Sequence, residues 1–496
     1  MTPVPFTPSM LLAVVPELLL AALALIVVIT DLSQPQPRPG AVGLEMLAIR
    51  RRRSLGIVTA VGFGLILVAS LLTSLPAVSD ALIFGGMLRH DLIAFVFRLM
   101  FLFAGAVTAL ISIDSPVVGR QGEYYVVLVT AVLGMNLMAM SADLIMLYLA
   151  IETSSIALYA LAGFLREDAK SAESGMKYFL FGAFTSTVML YGFSLLYGFT
   201  GQTGLYAVGQ ALNASGLSAG PLLALFLVLA GLGFKISAVP FHFWAPDVYE
   251  GAPTPITAFL SVASKAAGFA VLVRVLWAAF PGQEVLWIQL LAALAAVTMS
   301  LGNLVALAQR NIKRLLAYSS IAQAGYILVG LAAFSTDGLA ATLYYLGMYT
   351  ITNLAAFGAI VLVSRVTGSD EIADYSGLSR RAPGLALVLL VALLSLGGIP
   401  PLAGFFAKFY VFAAAINSGL VWLVVVGIVN SIIGLYYYLY VLKVIYLGAP
   451  RDEAATYPVP RPYTFALWLC AMGVIVIGFI ISPFVNIAVA AASGWF

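Results

Sequence analysis

Long apolar runs, one after another, constrain this chain more than any other feature. Fourteen segments of about 18 or more residues, long enough to cross a hydrocarbon core, are separated by short charged or Pro/Gly-containing breaks. They fall near 9–30, 55–74, 91–113, 122–141, 142–165, 176–200, 220–246, 254–280, 285–308, 312–334, 338–364, 384–416, 420–447 and 463–488. A backbone immersed in lipid must satisfy its own polar groups, so the runs read as helices and the chain as an all-α polytopic membrane protein. Composition agrees. Of the 496 residues 62% are hydrophobic and 9% charged, against roughly 25% charged in a soluble domain. No stretch remains for a water-exposed domain. The opening "MTPVPFTPSM" carries no Lys or Arg, so the first run reads as a span and not as a signal peptide.

Orientation follows from where the basic residues fall. With the N-terminus outside, 18 of the 24 Lys and Arg lie at cytoplasmic loops and helix ends, including the run Arg50–Arg53. Arg89 alone falls outside, and Arg98, Lys235, Lys265, Arg274 and Lys408 lie within spans. Both termini are therefore expected on the outer side of the inner (cytoplasmic) membrane. The net charge of +3 is too small to point to a nucleic-acid partner.

An internal repeat is visible. The tetrapeptide Ser-Ser-Ile-Ala occurs at 154–157 in the fifth run and at 319–322 in the tenth, an offset of 165 residues. The same offset carries Pro240 close to Pro400 and Pro401. Proline removes a backbone donor and disrupts the preceding turn, so the seventh and twelfth helices should be broken. The expected architecture is about 14 transmembrane helices with two five-helix repeats, 122–280 and 281–447. A three-helix segment, 1–121, precedes them, and 448–496 supplies the last helix. Five is odd, so the second copy must insert upside down, as in many ion-translocating proteins.

Ionisable groups inside the spans carry the chemical signal. Glu152 lies near the middle of "DLIMLYLAIETSSIALYALAGF", Lys235 five residues before Pro240, Lys265 mid-span in the eighth run, and Lys408 just after the double proline. Lys177 opens the sixth run. A central ammonium costs roughly 2.5–3.5 kcal/mol on insertion scales. Carbonyls freed by the Pro240 break would solvate Lys235, and a nearby carboxylate would offset part of the burial cost. A lysine held between these effects can gain and lose a proton, as a relay requires.

Plainer readings stand beside this one. Lys177 and Lys313 lie at helix ends, where long side chains snorkel to water. Arg274 lies near the external end of its span, and Arg98 reads as one half of a structural pair. A purely structural ion-pair cluster is the alternative for Glu152, Lys235, Lys265 and Lys408. His242 is either a relay member or a packing residue. The tyrosines of "LYYYLYVLK" read as interfacial belt and packing. A lone Cys470 leaves no disulfide or thiolate metal site within the chain. His90 and His242 form no ligand motif, so haem and iron–sulfur ligation are not expected. No G-x-G-x-x-G fingerprint of a dinucleotide fold is present.

Four stretches in order, "YLAIETSSIALYALAGF", "FKISAVPFHFWAPDVYEGAPTPITAFLSVASKAAGFAVLVRV", "NIKRLLAYSSIAQAGY" and "LGGIPPLAGFFAKFYVF", resemble the antiporter-like membrane subunits of respiratory complex I, the proton-pumping NADH–quinone oxidoreductase. Within that family the chain is most similar to the subunit N group, also called subunit 2. Lysine at 408 favours this group over subunit M, which typically carries glutamate there, and the long C-terminal lateral helix of subunit L is not expected. The resemblance implies fourteen core helices, two inverted five-helix repeats and broken helices 7 and 12. It also implies roles. Glu152 and Lys235 match the family's charge pair, Lys265 the central lysine and Lys408 the exit-side residue, with Lys177 as a further member of the proton relay. Redox energy released in other membrane and peripheral subunits would drive this relay. NADH, FMN, iron–sulfur clusters and quinone would reside in those partners, and this chain would carry no cofactor or metal.

A multi-subunit cation/proton antiporter shares the same helices and is the main alternative. A sodium path would add carboxylate or hydroxyl ligands, whereas this core is dominated by lysines. A solute permease, whose buried charges would bind an anionic substrate, is a third class.

Overall fold

The apolar runs fold as helices, and their ends are set by short-range signals. The computed structural model describes residues 8–33, 44–76, 81–113, 115, 118–215, 218–450, 457 and 459–495. Thirteen helices among the described residues are long and apolar enough to cross a membrane. The first three are α1 (Pro8–Leu32), α2 (Leu44–Thr73) and α3 (Leu92–Ser112). A hairpin of β1 (Ala81–Ile83) and β2 (Leu88–His90) precedes α3, and Asp91 caps it by accepting from the Ala94 N–H.

The next group comprises α4 (Gly122–Met140), α5 (Leu144–Ala162), α6 (Ala169–Thr200), the short α7 (Leu205–Ser215), α8 (Ala219–Ile236) and α9 (Trp244–Gly251). It closes with α10 (Thr254–Phe259) and α11 (Lys265–Ala279), one continuous span joined through a π-turn at Leu260–Ser264. A comparable order follows: α12 (Glu284–Ala306), α13 (Ile312–Ala332), α14 (Thr336–Thr367), α15 (Leu378–Arg381), α16 (Pro383–Gly397), α17 (Ala403–Asn417) and α18 (Val421–Leu447). Packing recurs too. The α4–α5 and α5–α6 contacts have counterparts in α12–α13 and α13–α14, and α6 meets both α8 and α9 as α14 meets both α16 and α17.

The seventh run is interrupted between Ile236 and Trp244. Ser237 adopts a left-handed conformation (φ 59°), and its N–H and the Trp244 indole both donate to the Phe234 carbonyl. The twelfth run divides at residues 398–402 into two 15-residue helices, each about 22 Å long and too short to span alone. This division is why fourteen apolar runs yield thirteen long helices. Gly404 permits the arrangement, because a Cβ there would lie 1.9 Å from the Ser395 carbonyl oxygen. The fourteenth run is also shorter than its apolar extent. It ends as α19 (Arg461–Phe479), after which α20 (Ser482–Ser493) packs on α3 and α14.

Alternate loops meet at opposite ends of the bundle. At the end rich in basic residues, Lys170 pairs with Glu250, Lys313 with Asp370, and Asn311 bridges Glu371. At the other end Leu88 bridges Ser141 and Asp143 bridges Gly204. Arg38 and Arg451 lie outside the described residues, as does most of the first loop.

Candidate functional site

On α5, Glu152 and Ser155 are three residues apart and share a face. The half-buried Glu152 accepts a hydrogen bond from Ser186 of α6, and the buried Lys235 of α8 donates to the Ser155 hydroxyl. Glu152 and Lys235 form no ion pair with each other; serines hold each of them. Nor does a carbonyl of the α8 break hold Lys235: among the described residues its ammonium hydrogen-bonds to Ser155 alone.

Lys235 also packs directly against α11. A Cβ at Gly268 would lie 3.1 Å from the Lys235 Cβ, so glycine lets the two helices close together here. Lys265 lies one turn before Gly268, at the end of the π-turn, a distortion often found at functional sites. It is 2% exposed, and its ammonium meets no protein acceptor among the described residues. Its Nζ lies 5.9 Å from the Tyr249 ring centre.

Beyond Lys265 lies a chain of polar side chains. The Tyr249 and Ser320 hydroxyls are 3.3 Å apart, Tyr349 donates to Ser320 at 2.7 Å, and Asn353 donates to both Tyr349 and Ser261 at 2.9 Å. One turn away on the same two helices, Tyr345 donates to Gln323, which donates to the Tyr438 hydroxyl and the Leu396 carbonyl. The adjacent Gly397 carbonyl accepts from Lys408 at 3.3 Å, and the Lys408 Nζ lies 4.8 Å from the Tyr326 ring centre. At this break, a freed carbonyl does hold the lysine.

The hydroxyl and amide chain was missed in the sequence because Ser, Asn, Gln and Tyr have no distinctive spacing there. The run of tyrosines in α18 shows why. Tyr436 and Tyr440 face outward, as a belt reading expects, but Tyr437 and Tyr438 are buried and hydrogen-bond to Asn303 and Gln323.

Lys177 sits elsewhere. At the basic end its partly exposed ammonium bridges Glu173 at 2.7 Å and Asp247 at 2.6 Å, and Arg314 joins Asp247 and Glu250. The network ties α6, α9 and α13 together. Burial pushes the Asp247 carboxyl up, but hydrogen bonds from Lys177 and Arg314 outweigh it and hold the group below the usual carboxylate range. Glu250 is lowered in the same way, with Lys170 and Arg314 prevailing over burial. A cleft of about 420 Å³ opens beside this network, lined by Lys170, Glu250, Lys313 and Asp370 among others. Lys313 does not snorkel; it is buried and pairs with Asp370 at 2.8 Å.

Arg98 pairs with Glu17 of α1, and Arg274 is fully buried against Asp91. His242 packs on Phe243, and its Nδ1 has no partner among the described residues. Those residues contain no group of three or more His, Cys, Asp or Glu placed to hold a metal ion.

Residues 141–434 match the family described as NADH:quinone oxidoreductase/Mrp antiporter, transmembrane. A relative from Moorella thermoacetica named NADH-quinone oxidoreductase subunit N is 45% identical over 464 residues, covering 92% of this chain and 97% of that one. In respiratory complex I from Thermus thermophilus, a chain superposes with a TM-score of 0.79 at 33% identity, covering 95% of this chain and 98% of its own length. A chain of the Mrp complex from Dietzia sp. shares the fold, with a TM-score of 0.81 at 20% identity over 99% of this chain and 98% of its own length. This chain therefore belongs to the NADH:quinone oxidoreductase/Mrp antiporter family of transmembrane subunits.

Proposed function

We propose that this chain is a proton-translocating membrane-arm subunit of an NADH–quinone oxidoreductase, and that Glu152, Lys235, Lys265 and Lys408 relay the protons. One observation carries the relay. Three lysines buried within the bundle have no carboxylate partner within ion-pair distance among the described residues, and two hydrogen-bonded polar groups lie between two of them. An ammonium fixed by a carboxylate would serve structure; one held by a hydroxyl or a carbonyl can release its proton at smaller cost. Ser155 keeps Lys235 one turn from Glu152, so a small shift of α8 would make or break their contact. Proton transfer from Lys235 to Lys265 across Gly268, and onward to Lys408, then crosses the bundle. Lys177 stands at the cytoplasmic mouth of this reading and orients α9 through Asp247.

Redox chemistry belongs to partner subunits in this account, with NADH, FMN, iron–sulfur clusters and quinone bound there. The membrane is the inner one, and both termini face outward, as the basic loops gathered at the opposite end support. The inverted repeats are assigned to 122–280 and 281–447, supported by the recurring order and packing of their helices.

The test is Lys265→Ala in the assembled complex, with NADH-driven acidification followed in membrane vesicles by a pH-sensitive dye. Assembly with loss of pumping is the expected result; a parental proton-to-electron ratio would remove Lys265 from the path. The Mrp-like fold makes a sodium/proton antiporter subunit the second reading. Acidification that requires sodium would favour that reading.

A further inference from the structure

Tyr249 occupies a junction that the lysines leave unexplained. It lies on α9, the eight-residue piece that follows the break, and α9 packs on α13 of the second half. Its ring faces Lys265, and its hydroxyl lies 3.3 Å from the Ser320 hydroxyl on α13. Ser320 in turn accepts from Tyr349 on α14, to which Asn353 also donates. Asn353 also donates to Ser261 in the π-turn beside Lys265. Tyr249, Ser320, Tyr349, Ser261 and Asn353 are all buried, so this is a hydrogen-bonded polar chain inside the contact between the two halves.

Such a chain is costly to bury unless satisfied, and it is satisfied largely by its own members. Packing alone would need the aromatic ring of Tyr249, which meets Trp244 and Phe357, but not its hydroxyl. A hydroxyl can accept one proton while donating another, so it conducts without forming a lasting ion.

We infer that Tyr249 is a proton-relay residue that joins Lys265 to the hydroxyl chain of α13 and α14. The Lys265 ammonium, which meets the Tyr249 ring and no direct acceptor among the described residues, gives one proton through a bridging water to the Tyr249 Oη as the proton already there passes to the Ser320 Oγ. Once the Tyr349 hydroxyl has rotated away from Ser320, to which it donates in this structure, the Ser320 proton passes to the Tyr349 Oη, and the Tyr349 proton leaves towards Gln323 and Lys408. Lys265 ends neutral, each hydroxyl ends with one proton, and rotation of the hydroxyls restores the chain. Tyr345 and Gln323 stand one turn, about 5.4 Å, farther along the same helices, a distance that one bridging water covers. The inference rests on the lysine relay proposed above and adds the link across the two halves.

The experiment compares Tyr249→Phe, Ser320→Ala and Lys265→Ala in the assembled complex, each checked for assembly by native gel electrophoresis. NADH-driven acidification and quinone reduction are measured in H2O and D2O. Tyr249→Phe keeps the ring and its packing. The expected result is normal assembly and a roughly tenfold slower acidification, at or below the low end of what a positioned proton donor contributes, with an altered solvent isotope effect. Ser320→Ala, which removes the next hydroxyl, should slow acidification similarly and add little to Tyr249→Phe. If Lys265→Ala is impaired while Tyr249→Phe and Ser320→Ala keep the parental rate and isotope effect, the inference fails and the lysine relay stands. Parental pumping in Lys265→Ala would overturn the relay and the inference with it.

Discussion

Replacing Arg274 by methionine should weaken the complex sharply, and neutralising Asp91 in the same molecule should restore most of the loss. The Arg274 guanidinium is 1% exposed and donates to both Asp91 carboxylate oxygens at 2.5 Å, while its Nε donates to the Ala139 carbonyl at 2.9 Å. Two charge-assisted hydrogen bonds at roughly 1.5–3 kcal/mol each amount to several kcal/mol. Breaking a buried pair by removing one partner costs about 3–5 kcal/mol, because the remaining charge is stranded. Arg89 stays 3.3 Å from Asp91, which places the expected cost of Arg274→Met at the lower end of that range. Asp91→Asn preserves the cap of α3, since Asn and Asp cap helices about equally well. The double variant therefore leaves no carboxylate stranded and keeps the helix start, while Arg89, which loses its ion pair, is 13% exposed and keeps its hydrogen bond to Tyr206. Thermal melting of the purified complex in detergent, read by the chain remaining in the assembled peak after heating, gives the ranking. Parental melting of Arg274→Met would refute the argument. So would a double variant as unstable as that single one. The pair matters for function because α11 also carries Lys265, nine residues earlier.

Lys235→Ala or Glu152→Ala should lower NADH-driven proton pumping without blocking assembly, and the double variant should lose less than the sum of the single ones because the two act as a unit; additive losses in vesicle assays would contradict this. Single cysteines at Ser33 and Ser493, in a chain with the buried Cys470 replaced, should differ in reaction with a membrane-impermeant reagent on intact cells. Labelling at 493 is expected, and labelling at 33 alone would reverse the orientation. Asp247→Asn should loosen the α6–α9–α13 network. Because the folded carboxyl sits below its unfolded value of about 3.9, its stabilisation is fully present above that value and disappears as pH falls through the lower folded one. The melting difference between parent and variant should hold steady from pH 8 to pH 6 and close only in strong acid; a gap that closes near neutrality would argue against the clamp.

How much of this was legible beforehand differs between the helices and the site. Helices were readable because the demand that creates them is local: each lipid-embedded segment must satisfy its own backbone, so apolar length alone identifies it. The interruptions near Pro240 and Pro400 were readable for a similar reason, since a missing N–H acts within one turn. Lys235, Lys265 and Lys408 stood out because charge is rare in an apolar run. Their partners were another matter. Ser155 lies 80 residues from Lys235, and Asp91 lies 183 from Arg274. The Tyr249–Ser320 contact joins the two halves of the chain across 71 residues. Composition and periodicity register what a residue is and what lies within a few turns of it. The identity of a buried partner is decided when helices close against one another, where a glycine such as Gly268 sets the distance and the first available hydroxyl or carbonyl takes the bond. The sequence by itself determined a bundle of membrane helices with charges at its centre; the tertiary structure alone decided that a serine, a backbone carbonyl and the rings of Tyr249 and Tyr326, in place of carboxylates, meet the three lysines.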